Sequence, residues 1–227
     1  MRRKLALALF LVLALGAAGV ARAQDDTYFR RPHTIVVYAD LGIAMTAAPG
    51  SFRDAWNTTL PFTLGLGYAP FAWLEVSGSF SYFSFGNNAL ESKRQIGYQG
   101  VQSVRGGGIT TLQFLGRTRF IGIPNQRFNP FLEAGLGYFT TSAEELEIEN
   151  VLVRSMDSVS GPSVSLGAGA QYALNDNWSA YTRFAWTINR NADFAPSNLV
   201  RPVGAPEVEG EGNQQYSAIV VGIMIRL

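Results

Sequence analysis

The sequence contains no cysteine, which excludes disulfide bonds and thiolate metal sites. It is also short of charge, because Asp, Glu, Lys and Arg make up only 15% of the chain, whereas about a quarter is usual. Its only lysines are Lys4 and Lys93, and 18 basic residues against 17 acidic ones leave a net charge of +1. A chain with this balance gives no reason to expect a nucleic-acid partner.

Beyond its N-terminus, the sequence lacks any apolar run long enough to span a bilayer as a helix. The N-terminus has a basic start from Arg2 to Lys4, an apolar run from Leu5 to Val20 and small residues at Ala21 and Ala23. This order is typical of a secretory signal peptide, and the run is shorter than the roughly 20 residues of a membrane anchor. We predict a signal peptide over residues 1–23 with cleavage after Ala23, a polar periplasmic leader over 24–33 and one domain over 34–227.

The rest of the chain alternates between large apolar residues and small or polar ones. In the last segment, Ile219, Val221, Ile223 and Ile225 point to one face of a predicted strand. Eight segments show this period of two: Thr34 to Met45, Leu60 to Ala69, Phe71 to Phe85, Ile109 to Phe120, Pro130 to Thr141, Pro162 to Leu174, Trp178 to Asn189 and Gln214 to Leu227. The sequence therefore predicts an all-β domain of eight strands.

The connections between these strands alternate in length. Short turns are predicted at Ala69-Pro70, Ile121 to Asn129 and Asn175 to Asn177. The longer connections are Thr46 to Thr59, Gly86 to Gly108, Ser142 to Gly161 and Arg190 to Asn213. Short turns at one end and long loops at the other are typical of an antiparallel up-and-down barrel in an outer membrane, with the last strand pairing with the first.

The composition of the two faces favours a membrane barrel over a soluble one. The polar face carries small residues that suit a narrow interior: Gly65, Gly67, Ser77, Ser79, Ser81, Gly135, Gly137, Gly167 and Gly169. The apolar face carries aromatic residues near both ends, namely Tyr68, Phe120, Tyr172 and Trp178 by the turns and Phe62, Phe80, Tyr82, Tyr138 and Trp186 by the loops. Two such girdles mark the membrane interfaces. A soluble secreted carrier barrel is the alternative, but its surface would need more Lys and Glu.

On this strand pattern and loop asymmetry, the chain resembles the small eight-stranded outer-membrane barrels of the OmpA and OmpX type over residues 34–227. The resemblance implies a transmembrane β-barrel in the cell outer membrane, surrounded by lipid and lipopolysaccharide, monomeric, and inserted by the barrel assembly machinery. It implies no cofactor and no metal. Members of this family usually end in an aromatic residue that the machinery reads, whereas this sequence has Leu227.

A few charged residues fall on the inward face. We predict an ion-pair network in the lumen formed by Asp40, Glu75, Arg117, Glu133 and Arg183, with Arg119 and Arg226 also facing inward. Because a buried charge is costly unless it is paired, we expect Arg117 to bridge Glu75 and Glu133, which we place at similar depth. The network is either a plug that fills and orients the core or a gate that passes small ions; the resemblance implies such networks as well.

Two further features bear on catalysis and on the loops. The only histidine, His33, precedes the first strand at the short-turn end, whereas enzymatic barrels of this membrane are understood to use a histidine near the outer leaflet. We therefore expect no enzyme. In the loops, alternation from Glu144 to Asn150, followed by Val151 to Val153, predicts a hairpin that extends the fifth and sixth strands beyond the membrane.

Two loop segments rich in glycine, proline or glutamate complete the sequence-based predictions. Gly106 to Gly108 is interpreted as a flexible strand entry rather than a phosphate loop, because a strand follows it and not a helix. The last loop contains Pro196, Pro202, Pro206, Glu207, Glu209 and Glu211, and is interpreted as a solvated acidic loop, with weak divalent-cation binding as the alternative. We expect a non-catalytic barrel acting in envelope integrity or surface interaction through its loops, with a narrow passive channel as the alternative.

Overall fold

The computed structural model describes residues 30–48, 50–95, 97–98, 103–155, 157–190, 192, 198–199 and 213–227. The predicted signal peptide, most of the predicted leader and the proline and glutamate residues of the last loop lie outside the described residues. Within the described residues, no helix is long and apolar enough to cross a membrane.

The described residues form twelve strands and two short helices. In chain order these are β1 (Thr34–Ala48), α1 (Gly50–Ala55), β2 (Phe62–Phe71), β3 (Leu74–Phe85), α2 (Ala89–Gln95), β4 (Val104–Gly106), β5 (Ile109–Ile121), β6 (Phe128–Ala143), β7 (Leu146–Ile148), β8 (Val151–Ser155), β9 (Val159–Ala173), β10 (Trp178–Arg190), β11 (Asn198–Leu199) and β12 (Asn213–Arg226). Eight long strands coincide with the eight alternating segments of the sequence, because a period of two suits a strand with two unlike faces.

These eight strands close into one antiparallel barrel in the order β1-β12-β10-β9-β6-β5-β3-β2. Closure joins β1 to β12 with Val36 opposite Arg226 and Ala44 opposite Ala218. At the end of that seam, Ile35 and Leu227 exchange backbone hydrogen bonds of 3.1 and 2.9 Å. The predicted eight-stranded up-and-down barrel is confirmed, and a closed barrel leaves its long strands no free edge.

The outward face of the barrel is a band of exposed apolar side chains. Leu66, Leu136 and Val221 are each more than 60% exposed, although they lie in the middle of long strands. The aromatic residues predicted to form the two girdles point outward as well, including Tyr68 and Trp178 at the short-turn end. Trp73, which the sequence analysis did not single out, stacks on Phe71 and Phe120 at that end, at centroid distances of 5.4 and 6.3 Å.

The turn between β2 and β3 is not where the sequence predicted it. The strand β2 continues through Pro70 to Phe71, and the turn lies at Ala72 and Trp73. The pairing of β2 with β3 shifts register between Tyr68 and Phe71. Pro70 has no N–H to donate to a ladder, so it lies within this irregularity rather than at the turn itself.

The long connections fold into structure of their own, in place of the extended barrel hairpin predicted from the sequence. The strands β7 and β8 form a hairpin whose turn residues Glu149 and Asn150 have φ values of 53° and 64°. This hairpin pairs with β4 and β11 in a separate four-stranded sheet of order β11-β8-β7-β4, called here the loop sheet. Leu146, Ile148 and Val153 are buried within it. The prediction of a hairpin was correct, but the prediction that it extends the barrel strands was wrong.

Candidate functional site

The lumen near the short turns contains a cluster of charged side chains, called here the ionic layer. Its members are Arg30, Asp40, Glu75, Arg117, Arg119, Glu133, Arg183 and Arg226, all of which are buried. Strand register places three of them in one row, because Glu75 on β3 lies opposite Arg119 on β5, which in turn lies opposite Glu133 on β6. All five residues of the predicted network lie in this layer.

Glu133 is the centre of the ionic layer, because three guanidinium groups donate to its carboxylate. Arg117 and Arg183 donate to Oε1 over 2.9 and 2.5 Å. Arg119 donates to Oε2 through both Nη2 and Nε, over 2.9 and 3.2 Å. Charge-assisted hydrogen bonds of this kind are the strong ones in proteins, so Glu133 ties strands β5, β6 and β10 together across the lumen.

The other two carboxylates of the ionic layer, those of Glu75 and Asp40, each have their own partners. Glu75 lies 3.3 Å from Arg119 and 3.8 Å from Arg226. Asp40 accepts from Arg183 over 3.0 Å and from the Tyr181 hydroxyl over 2.7 Å.

The expected bridge by Arg117 is therefore a wrong assignment. Arg117 pairs with Glu133, while Arg119 is the residue that contacts both Glu75 and Glu133. The cause is register, because Arg119 lies opposite both Glu75 and Glu133, whereas Arg117 lies opposite Ser77 and Gly135.

Arg30 joins the ionic layer from outside the barrel strands. It lies in the segment predicted as a polar leader, yet its side chain is 0% exposed and forms an ion pair with Glu75. When the Gln171 amide presents its oxygen to the lumen, that oxygen also accepts from Arg30. No sequence pattern marks Arg30 as a lumen residue, because it precedes β1 and so belongs to no alternating segment.

Aromatic rings line the positive centre of the layer. The Arg119 guanidinium carbon lies 4.3 Å from the Phe131 ring centroid, 5.1 Å from that of Tyr181 and 5.7 Å from that of Tyr38. Contacts of this geometry are cation–π interactions, and they gain strength where water is excluded. Arg119 is thus held by two carboxylates and three rings.

Above the ionic layer, toward the long loops, the lumen is filled by uncharged polar side chains, called here the amide layer. Gln113 donates to Ser163 over 2.6 Å, and Ser163 donates to Asn189 over 2.7 Å. Asn189 donates in turn to Gln214 over 2.8 Å. Ser163 and Asn189 lie opposite each other on paired strands, as do Asn189 and Gln214, whereas Gln113 on β5 reaches past β6 to Ser163 and, over 3.3 Å, to Asn189.

The mouth of the barrel at the long-loop end is closed by apolar residues. Phe52 of α1 contacts Trp56 and Phe85 at centroid distances of 5.5 and 5.7 Å, within a buried cluster. The Trp56 indole N–H donates to the carbonyl of Gly107 over 2.9 Å. Gly107 has a φ of 76°, and a Cβ there would lie 2.7 Å from the Leu146 side chain, so this close approach requires glycine.

His33 lies at the opposite end, beside the short turns. Its Nδ1 forms a hydrogen bond of 2.8 Å with the Tyr68 hydroxyl, and both residues are exposed. The described residues contain no group of three or more His, Asp or Glu side chains that would hold a metal ion.

Taken from one end to the other, the lumen contains an ionic layer, an amide layer and an apolar closure. Five guanidinium groups face three carboxylates among the described residues, so the interior carries an excess of positive charge. Removing one partner of a buried ion pair is strongly destabilising, because it leaves an uncompensated charge. This arrangement holds strands together across the barrel and leaves its centre packed.

The comparisons with known proteins agree with this architecture. The crystal structure of Neisserial surface protein A has a TM-score of 0.52 with this chain at 11% identity, covering 85% of this chain and 97% of that one. The crystal structure of the outer membrane protein OprG from Pseudomonas aeruginosa has a TM-score of 0.52 at 12% identity, covering 89% and 99%. At such identities the likeness shows the fold alone.

The sequence itself decides the family. No curated protein sequence matches the chain. A family profile described as outer membrane protein beta-barrel domain, however, matches residues 9–221. That match spans most of the chain, and the closed eight-stranded barrel agrees with it. The chain therefore belongs to the outer-membrane protein β-barrel domain family.

Proposed function

We propose that the protein is a non-catalytic outer-membrane barrel that acts at the cell surface through its folded loops, in envelope integrity or surface interaction. The observation that carries this proposal is the loop sheet, a four-stranded structure with its own buried apolar residues. In outer-membrane barrels the short turns face the periplasm and the long loops face outward. The loop sheet is then a structured surface that the described residues offer to the exterior.

The filled lumen supports this proposal, because it argues against transport as the main role. Ion pairs of the ionic layer span the lumen, Gln113 reaches past β6 to Ser163 and Asn189, and Phe52 and Trp56 close the mouth above them. A solute would have to separate the ion pairs of Glu133 and the hydrogen bonds of Asn189 in turn. The barrel wall thus serves as a rigid support for the loops.

The position of His33 supports a non-catalytic role. His33 is the only histidine in the sequence. It is exposed at the predicted periplasmic end, where it forms a hydrogen bond with the Tyr68 hydroxyl. A general base needs a group to activate and a pocket that holds the substrate. His33 lies exposed beside the exposed Tyr68, an arrangement that does not enclose a substrate.

A narrow channel is the second candidate, and one observation favours it. In the ionic layer, Asp40 Oδ1 and the Nε atoms of Arg117 and Arg183 have no hydrogen-bond partner among the described residues. Because these donors and this acceptor are not already hydrogen-bonded, the ion pairs of the layer could exchange partners while an ion passes. Such a channel would conduct in a planar bilayer.

The surroundings implied by the proposal follow from the outward face. The exposed apolar band, which includes Leu66 and Val221, would contact outer-membrane lipid and lipopolysaccharide. We expect a monomer, since closure leaves the barrel strands without a free edge. We expect the barrel assembly machinery to read β12, which ends beside Leu227.

The experiment tests whether the function depends on the loops or on the barrel wall. A strain that lacks the protein is complemented either with the full chain or with a trimmed chain, in which a Gly-Ser turn replaces residues 144–158 between β6 and β9. We expect the trimmed barrel to insert and to show heat-modifiable gel migration, but not to restore detergent resistance or surface binding. A matched control replaces the short turn 123–126 and is expected to restore both. Full restoration by the trimmed barrel would assign the function to the wall and overturn the proposal.

A further inference from the structure

One guanidinium group outside the lumen is buried and has no charged partner within the described part of the chain. Arg154 lies on β8, opposite Leu146 of β7 and Leu199 of β11, and is therefore central in the loop sheet. The residue is only 5% exposed. Among the described residues, no carboxylate lies within ion-pair distance of it, in contrast to every arginine of the ionic layer.

The Arg154 side chain reaches from the loop sheet down to the mouth of the barrel. Its guanidinium carbon lies 5.6 Å from the ring centroid of Trp56, the residue that closes the mouth. Burial lowers the pKa of Arg154 to about 10, so the group remains cationic at neutral pH. The junction between the loop sheet and the mouth thus contains a cation that contacts an indole ring and has no counter-charge among the described side chains.

The donors left over on Arg154 share one edge of its guanidinium. Its Nε and Nη2 atoms are buried and have no hydrogen-bond partner in the described part of the chain. The same edge is the one with which Arg53 donates to both oxygens of Asp54, over 2.8 and 3.2 Å. Two parallel N–H donors match two oxygens of a carboxylate or a phosphate, and this geometry is typical of arginine recognition of oxyanions.

We propose that Arg154 and Trp56 form a phosphate-binding site at the junction between the loop sheet and the barrel mouth. The inference rests on the proposed surface function and names the chemistry that this surface would recognise. A phosphate oxygen pair accepts from Nε and Nη2, while the Trp56 indole ring contacts the guanidinium group. Because the edge is buried, the β7–β8 hairpin has to shift to admit the group. The unpaired charge favours that shift, because it weakens the packing of the hairpin on the mouth.

The first test is binding of inorganic phosphate to the refolded full-length barrel by titration calorimetry. We expect saturable binding by the wild type and at least about tenfold weaker binding by Arg154→Met, since a hydrogen-bonded charge pair is lost. Arg105→Met is the matched control, because Arg105 lies on β4 of the same sheet but is exposed. Its affinity should equal that of the wild type. Equal affinity of wild type and Arg154→Met, or no saturable binding by either, would overturn the inference.

A second measurement guards against a variant whose hairpin is simply misfolded. Arg154→Lys keeps the charge but removes the two-donor edge, and we expect it also to bind phosphate less tightly. In NMR spectra, phosphate should shift the Trp56 indole N–H and the amides of residues 146–155 in the wild type. In Arg154→Lys without phosphate, those signals should keep the positions of the folded hairpin, and they should shift only at higher phosphate concentrations than in the wild type. Phosphate shifts spread over the whole surface in both proteins would contradict a site at Arg154.

The source of the phosphate is then decided with vesicles. Barrels are reconstituted in vesicles whose outer leaflet carries either a phosphorylated lipid A headgroup or a dephosphorylated one. If the Trp56 indole N–H is protected from hydrogen exchange only with the phosphorylated lipid, the ligand is a headgroup. If it is protected only when inorganic phosphate is added, the ligand is soluble. The trimming experiment can fail while Arg154 still binds phosphate, and the reverse also holds, so the two proposals fail separately.

Discussion

The protein buries arginine side chains in two regions and surrounds them differently. In the lumen, Arg119 is paired with two carboxylates, and Glu133 collects three guanidinium groups. In the loop sheet, Arg154 contacts an aromatic ring and has no carboxylate partner among the described residues. Since an unpaired buried charge is costly, the first region is suited to stability and the second to a ligand. The difference predicts that the same kind of substitution will have opposite effects in the two places.

Glu133→Ala should have the largest effect on stability. It removes the carboxylate that Arg117, Arg119 and Arg183 share and leaves their charges uncompensated. We expect a loss of about 5 kcal/mol in the free energy of unfolding, at the upper end for breaking a buried ion pair. Urea titration of the barrel in lipid vesicles measures it. Glu144→Ala, at an exposed loop position, is the control; a loss no larger than that of the control would show that the ionic layer is not structural.

Arg119→Ala should cost more than Arg117→Ala, although the two residues lie only two positions apart on β5. Arg119 contacts Glu75, Glu133 and three aromatic rings, whereas Arg117 pairs with Glu133 alone. We expect losses of about 3–5 kcal/mol for Arg119→Ala and about 1.5–3 kcal/mol for Arg117→Ala in the same titration. The reverse order would mean that Arg117 is the bridge after all.

The alternation of the sequence was sufficient to predict the strands but not the partners across them. A period of two is a local signal, so it placed Asp40, Glu75, Glu133 and Arg183 on the inner face correctly. Partner choice depends on register, and register depends on where each turn lies. Arg117 and Arg119 both lie on the inner face of β5, so the period of two could not show that Arg119 lies opposite Glu75 and Glu133 while Arg117 lies opposite Ser77 and Gly135.

Arg30→Ala should have a smaller effect than either strand substitution. Glu75 keeps Arg119 and Arg226 as partners after the change, and the lumen loses part of its excess of positive charge. We expect a loss of about 1.5–2 kcal/mol, comparable to one hydrogen bond to a charged group. Arg31→Ala is the matched control, because Arg31 is 74% exposed and lies 3.6 Å from Asp176 at the surface. A loss as small as that of the control would remove Arg30 from the ionic layer.

Arg154→Met should have the smallest effect on stability, within about 1 kcal/mol of zero and on the side of a gain. The variant replaces an unpaired buried charge by an apolar side chain of similar length, and such replacements are often neutral or stabilising. Hydrogen exchange of the amides of residues 151–155 reports on this hairpin, with Arg105→Met as the control. Clearly faster exchange in Arg154→Met alone would mean that Arg154 is satisfied where it lies and has no need of a ligand.

The loops were harder to predict than the barrel for a physical reason. The helices α1 and α2 have only six and seven residues, too few for a helical period to show. The strands β4 and β11 have three and two residues and exist because β7 and β8 lie beside them. Only the hairpin carried a local signal, in its alternation and in the turn at Asn150. Arg30 and Arg154 carried none, since their burial is a product of tertiary packing.

Planar-bilayer recording of the refolded wild-type barrel, set beside Arg119→Ala, tests most directly whether the lumen is a structural plug. The ionic and amide layers and the closure by Phe52 and Trp56 predict no discrete conductance steps from the wild type. Arg119→Ala should unfold at lower denaturant concentration and still show no steps. Discrete steps from the wild type that grow in Arg119→Ala would contradict the account, because they would show that ions pass through the ionic layer and that Arg119 sets the constriction.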